Sequence, residues 1–105
     1  MPVAPVPIAL AATQIIAKLA QLTDWKLHGD GSEVAIEKAY HFAGYLQTMA
    51  FANAVAFVAE RENHHPEIVV QYKVCSVRFR THDIGGISIR DFECATQVDA
   101  LLQPN

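Results

Sequence analysis

The sequence predicts an α+β domain: a four-stranded antiparallel sheet with three helices on one face, in the order α-β-β-α-β-β-α. Three observations predict it. Short runs with period-two alternation come in two sequential pairs, "WKLH" with 33–42, then "EIVVQYKV" with "CSVRFRT". A proline-free, alanine-rich stretch over 44–62 separates the pairs. Helical spacing of apolar residues recurs near both ends of the chain. Sequential strand pairs interleaved with helices suit an antiparallel sheet covered on one side.

In chain order, Ile15, Leu19 and Leu22 mark the first helix, over 11–21, and Thr23-Asp24 ends it. "WKLH" begins a strand, and "GDG" at 29–31 is the turn into the next. In that second strand Val34, Ile36, Tyr40 and Phe42 share one face, broken by Lys38, while Glu33, Glu37 and His41 share the other. The helix over 44–62 carries one apolar stripe of Tyr45, Met49, Ala52, Val55 and Val58. A second stripe includes Leu46, Ala50 and Phe57. A helix that is apolar nearly all round needs cover on more than one side, which points to a second subunit. Ile68, Val70 and Tyr72 face one way in the third strand. In the fourth, Cys75, Val77 and Phe79 do so, with Arg78 and Arg80 opposite. "THDIGG" is a loop. Ser88 and Asp91, three apart, form a capping-box pattern at the start of a last helix, which runs to about Leu102. Its core stripe is Phe92, Ala95, Val98 and Leu102.

The 105 residues are expected to form a single domain, with 1–8 of "MPVAPVPIAL" as an extended, mobile arm. That stretch has no basic region and three prolines, so it is a poor secretory signal, and no run is long enough to span a membrane. A net charge of −3 speaks against general binding to nucleic acid or to an anionic membrane. Cys75 and Cys94 are too few for a disulfide framework and lack a CxxC pairing. They read as two reduced thiols, Cys75 on the packed phase of its strand.

Chemistry concentrates in "ENHHPEI", 62–68. Two readings stand. Asn63, His64, His65 and Pro66 suit a helix stop: Asn accepts the left-handed cap conformation, imidazole suits the negative end of the helix, and proline cannot continue it. The other reading is acid–base chemistry. If the third and fourth strands form a hairpin, the pair at the start of the first lies beside His82 at the end of the second. Imidazole titrates at about 6.5, so three such rings can move protons on both sides of a bond. A metal site is disfavoured, because adjacent side chains diverge and no CxxC or HxxxH companion is near.

The segment "ERENHHPEIVVQYKVCSVRFRTHDIGGISIRDF" resembles the pterin-4a-carbinolamine dehydratases. The matching signature is Glu60, three spacers, His64-His65-Pro66, then Tyr72, His82 and Asp91. Leu22, Trp25, Tyr40, Phe42, Tyr45 and Phe51 extend a weaker similarity over nearly the whole chain. Asn63 stands where many relatives have Asp, and Ile68 where animal forms have Trp.

The resemblance implies dehydration of 4a-hydroxytetrahydrobiopterin to quinonoid dihydropterin and water, recycling the cofactor of aromatic amino acid hydroxylases. It implies His64 and His82 as the acid–base pair and His65 as the residue that holds the pterin. Glu60, Asn63, Pro66, Ile68 and Asp91 are placed around the substrate, Asp91 either there or only as a helix cap. No metal and no organic cofactor is implied. A homodimer or homotetramer through helix 44–62 and a hydroxylase acting in the same pathway are implied as partners, with a cytoplasmic location. The alternative is a non-catalytic binding module, acting as a dimerization cofactor of a transcription factor (then nuclear as well) or as an assembly factor.

Overall fold

Cys75, Val77 and Phe79 are fully buried while Ser76 and Arg78 between them are half-buried, the period-two signature of a strand with one face on the core. They belong to β4, Val74–Phe79. The computed structural model describes residues 7–103. Within it the other elements are α1 (Ala12–Leu19), β1 (Lys26–His28), β2 (Ala35–His41), α2 (Tyr45–Glu62), β3 (Glu67–Val70) and α3 (Ile89–Ala100). All neighbouring strands are antiparallel, in the order β1-β2-β4-β3. The expected α-β-β-α-β-β-α order and fold class are present. Most of the arm expected over 1–8 lies outside the described residues; just after it, the chain is tied down where Leu10 N–H donates to Ile87 O at 2.8 Å.

Several element limits differ from expectation. β2 starts two residues late because Gly31–Glu33 forms a 3-10 turn after the glycine turn. Gly29 there has φ +75°, and a Cβ would stand 3.0 Å from the Glu33 carbonyl oxygen, so only glycine fits comfortably. The buried row of α2 is Thr48, Phe51, Ala52, Val55, Val58 and Ala59. Tyr45 and Met49, expected in that row, are exposed, because the helix is rotated to bring Thr48 over the β3–β4 turn. There the Thr48 hydroxyl donates to Tyr72 O at 3.1 Å. The expected second stripe is solvent-facing: Leu46 is 83% and Phe57 71% exposed. Tyr72 lies in the turn after β3 and is exposed rather than sharing a face with Ile68 and Val70. α3 ends at Ala100, leaving Leu102 exposed and outside the core stripe that Phe92, Ala95 and Val98 form.

One polar hub fastens α3 to the sheet at the end away from its N-terminus. Asp99 accepts from Trp25 Nε1 at 3.0 Å, from Lys38 Nζ at 2.9 Å and from the Tyr40 hydroxyl. Lys38, the break in the expected apolar face, meets this carboxylate. Burial, reinforced by Asp99, pushes the Tyr40 hydroxyl well above the ordinary phenol range, so it stays a donor. Replacing Asp99 by Ala strands three donors and is expected to lower the unfolding free energy by about 2–4 kcal/mol. A urea titration checks this, and a midpoint equal to wild type would show that the hub carries no stability.

Candidate active site

The turn from α2 into β3 is built by a helix stop. Asn63 takes φ 50°, ψ 44°, the left-handed cap conformation, and His64 N–H reaches back to Ala59 O at 3.1 Å. From α3, one guanidinium nitrogen of Arg90 donates to the carbonyls of Glu62 at 3.0 Å and Asn63 at 3.1 Å. The two histidines that follow part company. His64 turns inward and is 7% exposed, its ring parallel to Phe79 with centroids 5.9 Å apart. Its Nε2–H donates to Asp91 Oδ1 at 2.5 Å. His65 turns outward, and its Nε2 meets Glu60 Oε1 at 2.6 Å.

Asp91 is fully buried and fully used. Its second oxygen accepts from Ser88 N–H at 2.9 Å and from the Thr81 hydroxyl at 2.9 Å. The cap that the sequence weighed against a place around the substrate is present, and the same carboxylate also holds His64. Among the described residues no buried polar side-chain atom lacks a partner. The one hydrogen bond of the His64 ring among the described residues runs through Nε2, which leaves Nδ1 as its uncommitted nitrogen.

His82 follows directly on Thr81 at the end of β4, in a 3-10 turn, His82–Ile84. Thr81 N–H donates to Gly86 O at 2.9 Å and closes this loop. The β3–β4 register, Glu67 opposite Arg78, then sets the start of β3 beside the His82 turn, as the hairpin argument required. His65, Pro66 and His82 line one cleft of about 480 Å³. The other wall is His28, Gly29 and Glu33 from the β1–β2 connection, and the floor holds Ala35, Arg78 and Arg80.

Not every expected residue reaches the cleft. His64 and Asp91 lie behind it. Glu60 acts on it through His65. Asn63 serves as a backbone cap, and Ile68, opposite Val77, is on the core face of the sheet, so its side chain points away from the cleft. Conversely, His28, Glu33, Arg78 and Arg80 were not singled out by the sequence as site residues. The available signal was the polar phase of β4 and the residue just after it, where Arg78 and Arg80 alternate with buried residues. No group of three or more His, Cys, Asp or Glu among the described residues is arranged to hold a metal ion.

A small α+β domain whose sheet edge gathers imidazoles around one polar cleft is a candidate proton-transfer protein. The family model described as "Pterin 4 alpha carbinolamine dehydratase" matches residues 8–101, and the chain belongs to that family. It is 54% identical over 94 residues to a protein of Paracidovorax citrulli provisionally named pterin-4-alpha-carbinolamine dehydratase, covering 90% of this chain and 81% of that protein. A protein of Nitrosospira multiformis with the same provisional name is 45% identical, at 90% and 80% coverage. Among solved structures, a transcriptional coactivator/pterin dehydratase from Brucella melitensis superposes with a TM-score of 0.83 at 24% identity, covering 91% of this chain and all of that one. A pterin dehydratase-like protein identified as a RuBisCO assembly factor in the alpha-carboxysome gives 0.64 at 24% identity, covering 79% and 94%. At that identity the two structures speak for the fold.

Both thiols are inside the fold. Burial raises Cys75, and burial followed by the nearby Glu62 and Asp91 carboxylates pushes Cys94 up to about 11. A thiol raised on folding favours the native state at neutral pH, and that advantage is lost as the pH rises from the ordinary thiol range through about 11. Iodoacetamide at neutral pH is therefore expected to modify neither cysteine in the native protein and both in urea. Rapid native labelling seen by mass spectrometry would contradict this burial.

Proposed function

We propose that this chain dehydrates 4a-hydroxytetrahydropterins, such as the biopterin form, to the quinonoid dihydropterin. What carries the reading is the meeting of His65 and His82 in one cleft, with the Asp91-held His64 beside it, in a chain of this family. The reaction breaks the C4a–O bond and removes a proton from the adjacent ring nitrogen, giving a C=N bond and water. Hydroxide is a poor leaving group, so a general acid protonates the departing oxygen while a base takes the nitrogen proton. His82 and His64 fill these two roles, His64 exchanging its proton through Nδ1 because Nε2 is committed to Asp91. His65, fixed by Glu60, orients the pterin. The expected setting is recycling of the cofactor of an aromatic amino acid hydroxylase.

His64→Ala and His82→Ala are each expected to slow dehydration by roughly 10²–10⁴ after the uncatalysed rate is subtracted. The double variant should lose less than the product of the single losses. His65→Ala should chiefly raise KM. Initial rates and thermal melts of the same preparations decide it: wild-type rates in folded His64→Ala and His82→Ala would remove the assignment.

The chain also acts as a homo-oligomer in this reading, through the face of α2 that leaves Leu46, Phe57, Tyr45 and Met49 in solvent. The same face favours the second reading, a binding module for another protein, which needs no intact histidine set. Leu46→Glu or Phe57→Glu is expected to lower the mass seen by light scattering. A wild-type protein that stays monomeric at high concentration would exclude self-association.

A further inference from the structure

The family signature accounts for one side of the cleft; the sheet surface beneath it has its own order. β1 pairs His28 with Ala35 and Lys26 with Glu37. β2 and β4 set Glu37 opposite Arg78, and β3 sets Glu67 opposite Arg78. The open face therefore carries one row across all four strands: Lys26, Glu37, Arg78, Glu67. Carrying the same registers onward brings Arg80 opposite Ala35 and His65, so the neighbouring row is His28, Ala35, Arg80, His65. All four members of that second row line the cleft, as do Arg78 and Glu67 of the first.

The small side chain in the second row is Ala35, which leaves a slot between His28 and Arg80. The first row closes the slot with a fixed edge. Arg78 donates through Nε to Glu37 and through Nη1 to Glu67 Oε1 at 2.5 Å. These two carboxylates also raise the Arg78 guanidinium above its ordinary range. The side chain of Glu67 is 63% exposed, so its carboxylate still has acceptor positions open toward the cleft. The edge thus offers guanidinium donors immediately beside carboxylate acceptors.

A pterin ring has the complementary edge. Its pyrimidine half presents N3–H and the 2-amino group side by side as donors, and O4 next to them as an acceptor. A carboxylate matches the two donors, and a guanidinium matches the oxygen. The arginines of the cleft are already paired, Arg78 with Glu37 and Glu67 and Arg80 with Glu33, so the wall is suited to a neutral polar ring rather than to a free anion. We infer that the Arg78–Glu67 pair on the open face of the sheet reads the 2-amino-4-oxo edge of the pterin and sets substrate specificity. This rests on the dehydratase reading for the identity of the ring. With that edge seated on the strand row, the reacting half of the ring extends toward the histidine end of the cleft.

Two ligands test it on the full-length chain: 7,8-dihydrobiopterin, and the same compound with hydrogen in place of the 2-amino group. Fluorescence titration should give wild type a preference of about 10–100-fold for the 2-amino compound, the usual worth of hydrogen bonds to a charged group. Glu67→Gln, a change at an exposed side chain, replaces one acceptor by a donor and should lose most of that preference. Arg78→Ala should weaken both ligands, and in turnover of 4a-hydroxytetrahydrobiopterin should raise KM more than it lowers kcat. Equal wild-type affinity for the two compounds, failure to bind either, or full preference retained in Glu67→Gln would each overturn the inference. Turnover speaks to the reaction separately. A wild-type protein that binds and discriminates but does not speed dehydration leaves this recognition standing and removes the dehydratase reading.

Discussion

Three donors from three parts of the chain converge on the buried carboxylate of Asp91: the Ser88 N–H, the Thr81 hydroxyl and His64 Nε2–H. A buried carboxylate left unpaired costs several kcal/mol, and satisfied by hydrogen bonds it becomes a fixed point. From this point the start of α3, the end of β4 and the turn out of α2 are held in one arrangement. Each depends on the others. Without the cap, α3 begins with an unsatisfied N–H; without Thr81 in place, the His82 turn loses its anchor; without His64, one carboxylate oxygen is stranded inside. Arg90, the neighbour of Asp91 in sequence, grips the carbonyls of Glu62 and Asn63, so two consecutive residues of α3 clamp the helix end that delivers the histidines.

The two faces of the sheet differ in what they carry. Ile36, Tyr40, Cys75, Val77 and Phe79 point into the core with α2 and α3, and their burial supplies the driving force. The other face carries Glu37, Arg78 and Glu67 in a row that is partly open to solvent. The outer pair, Arg78 with the exposed Glu67, adds little stability, so the row is a poor explanation of the fold. Its value is positional: the β-ladder fixes the spacing of the charged groups, and adjacent strands present them at one level. The cleft chemistry therefore has a rigid floor, with the histidines brought to its end by two turns.

Period and punctuation made the fold legible. Alternation located β2 and β4, the proline-free run located α2, and Ser88 with Asp91 located the start of α3, because each of these signals is local. Legibility ended where a side chain is placed by something distant in sequence. The rotation of α2 is set by packing on β4 and by Thr48 reaching Tyr72 O, which no periodicity within the helix contains. Lys38 looked like a flaw in an apolar face until Asp99, sixty-one residues on, supplied its partner. The site divides the same way. His65, Pro66 and His82 followed from a signature and a hairpin, whereas His28, Glu33, Arg78 and Arg80 enter through strand registers, which a single sequence does not state.

The helix stop and the site, set against each other as explanations of "NHHP", turn out to be one device. The left-handed conformation of Asn63 reverses the chain, and the extended backbone after it sends consecutive side chains to opposite sides. That is why His64 is buried on Phe79 while His65 faces solvent and Glu60. Position 63 accordingly needs a short polar residue that accepts positive φ, a demand that Asn and Asp both meet. In the proposed reaction the same split assigns the work: the inward ring acquires a fixed tautomer from a buried carboxylate, and the outward ring, oriented by Glu60, stays open to a ligand.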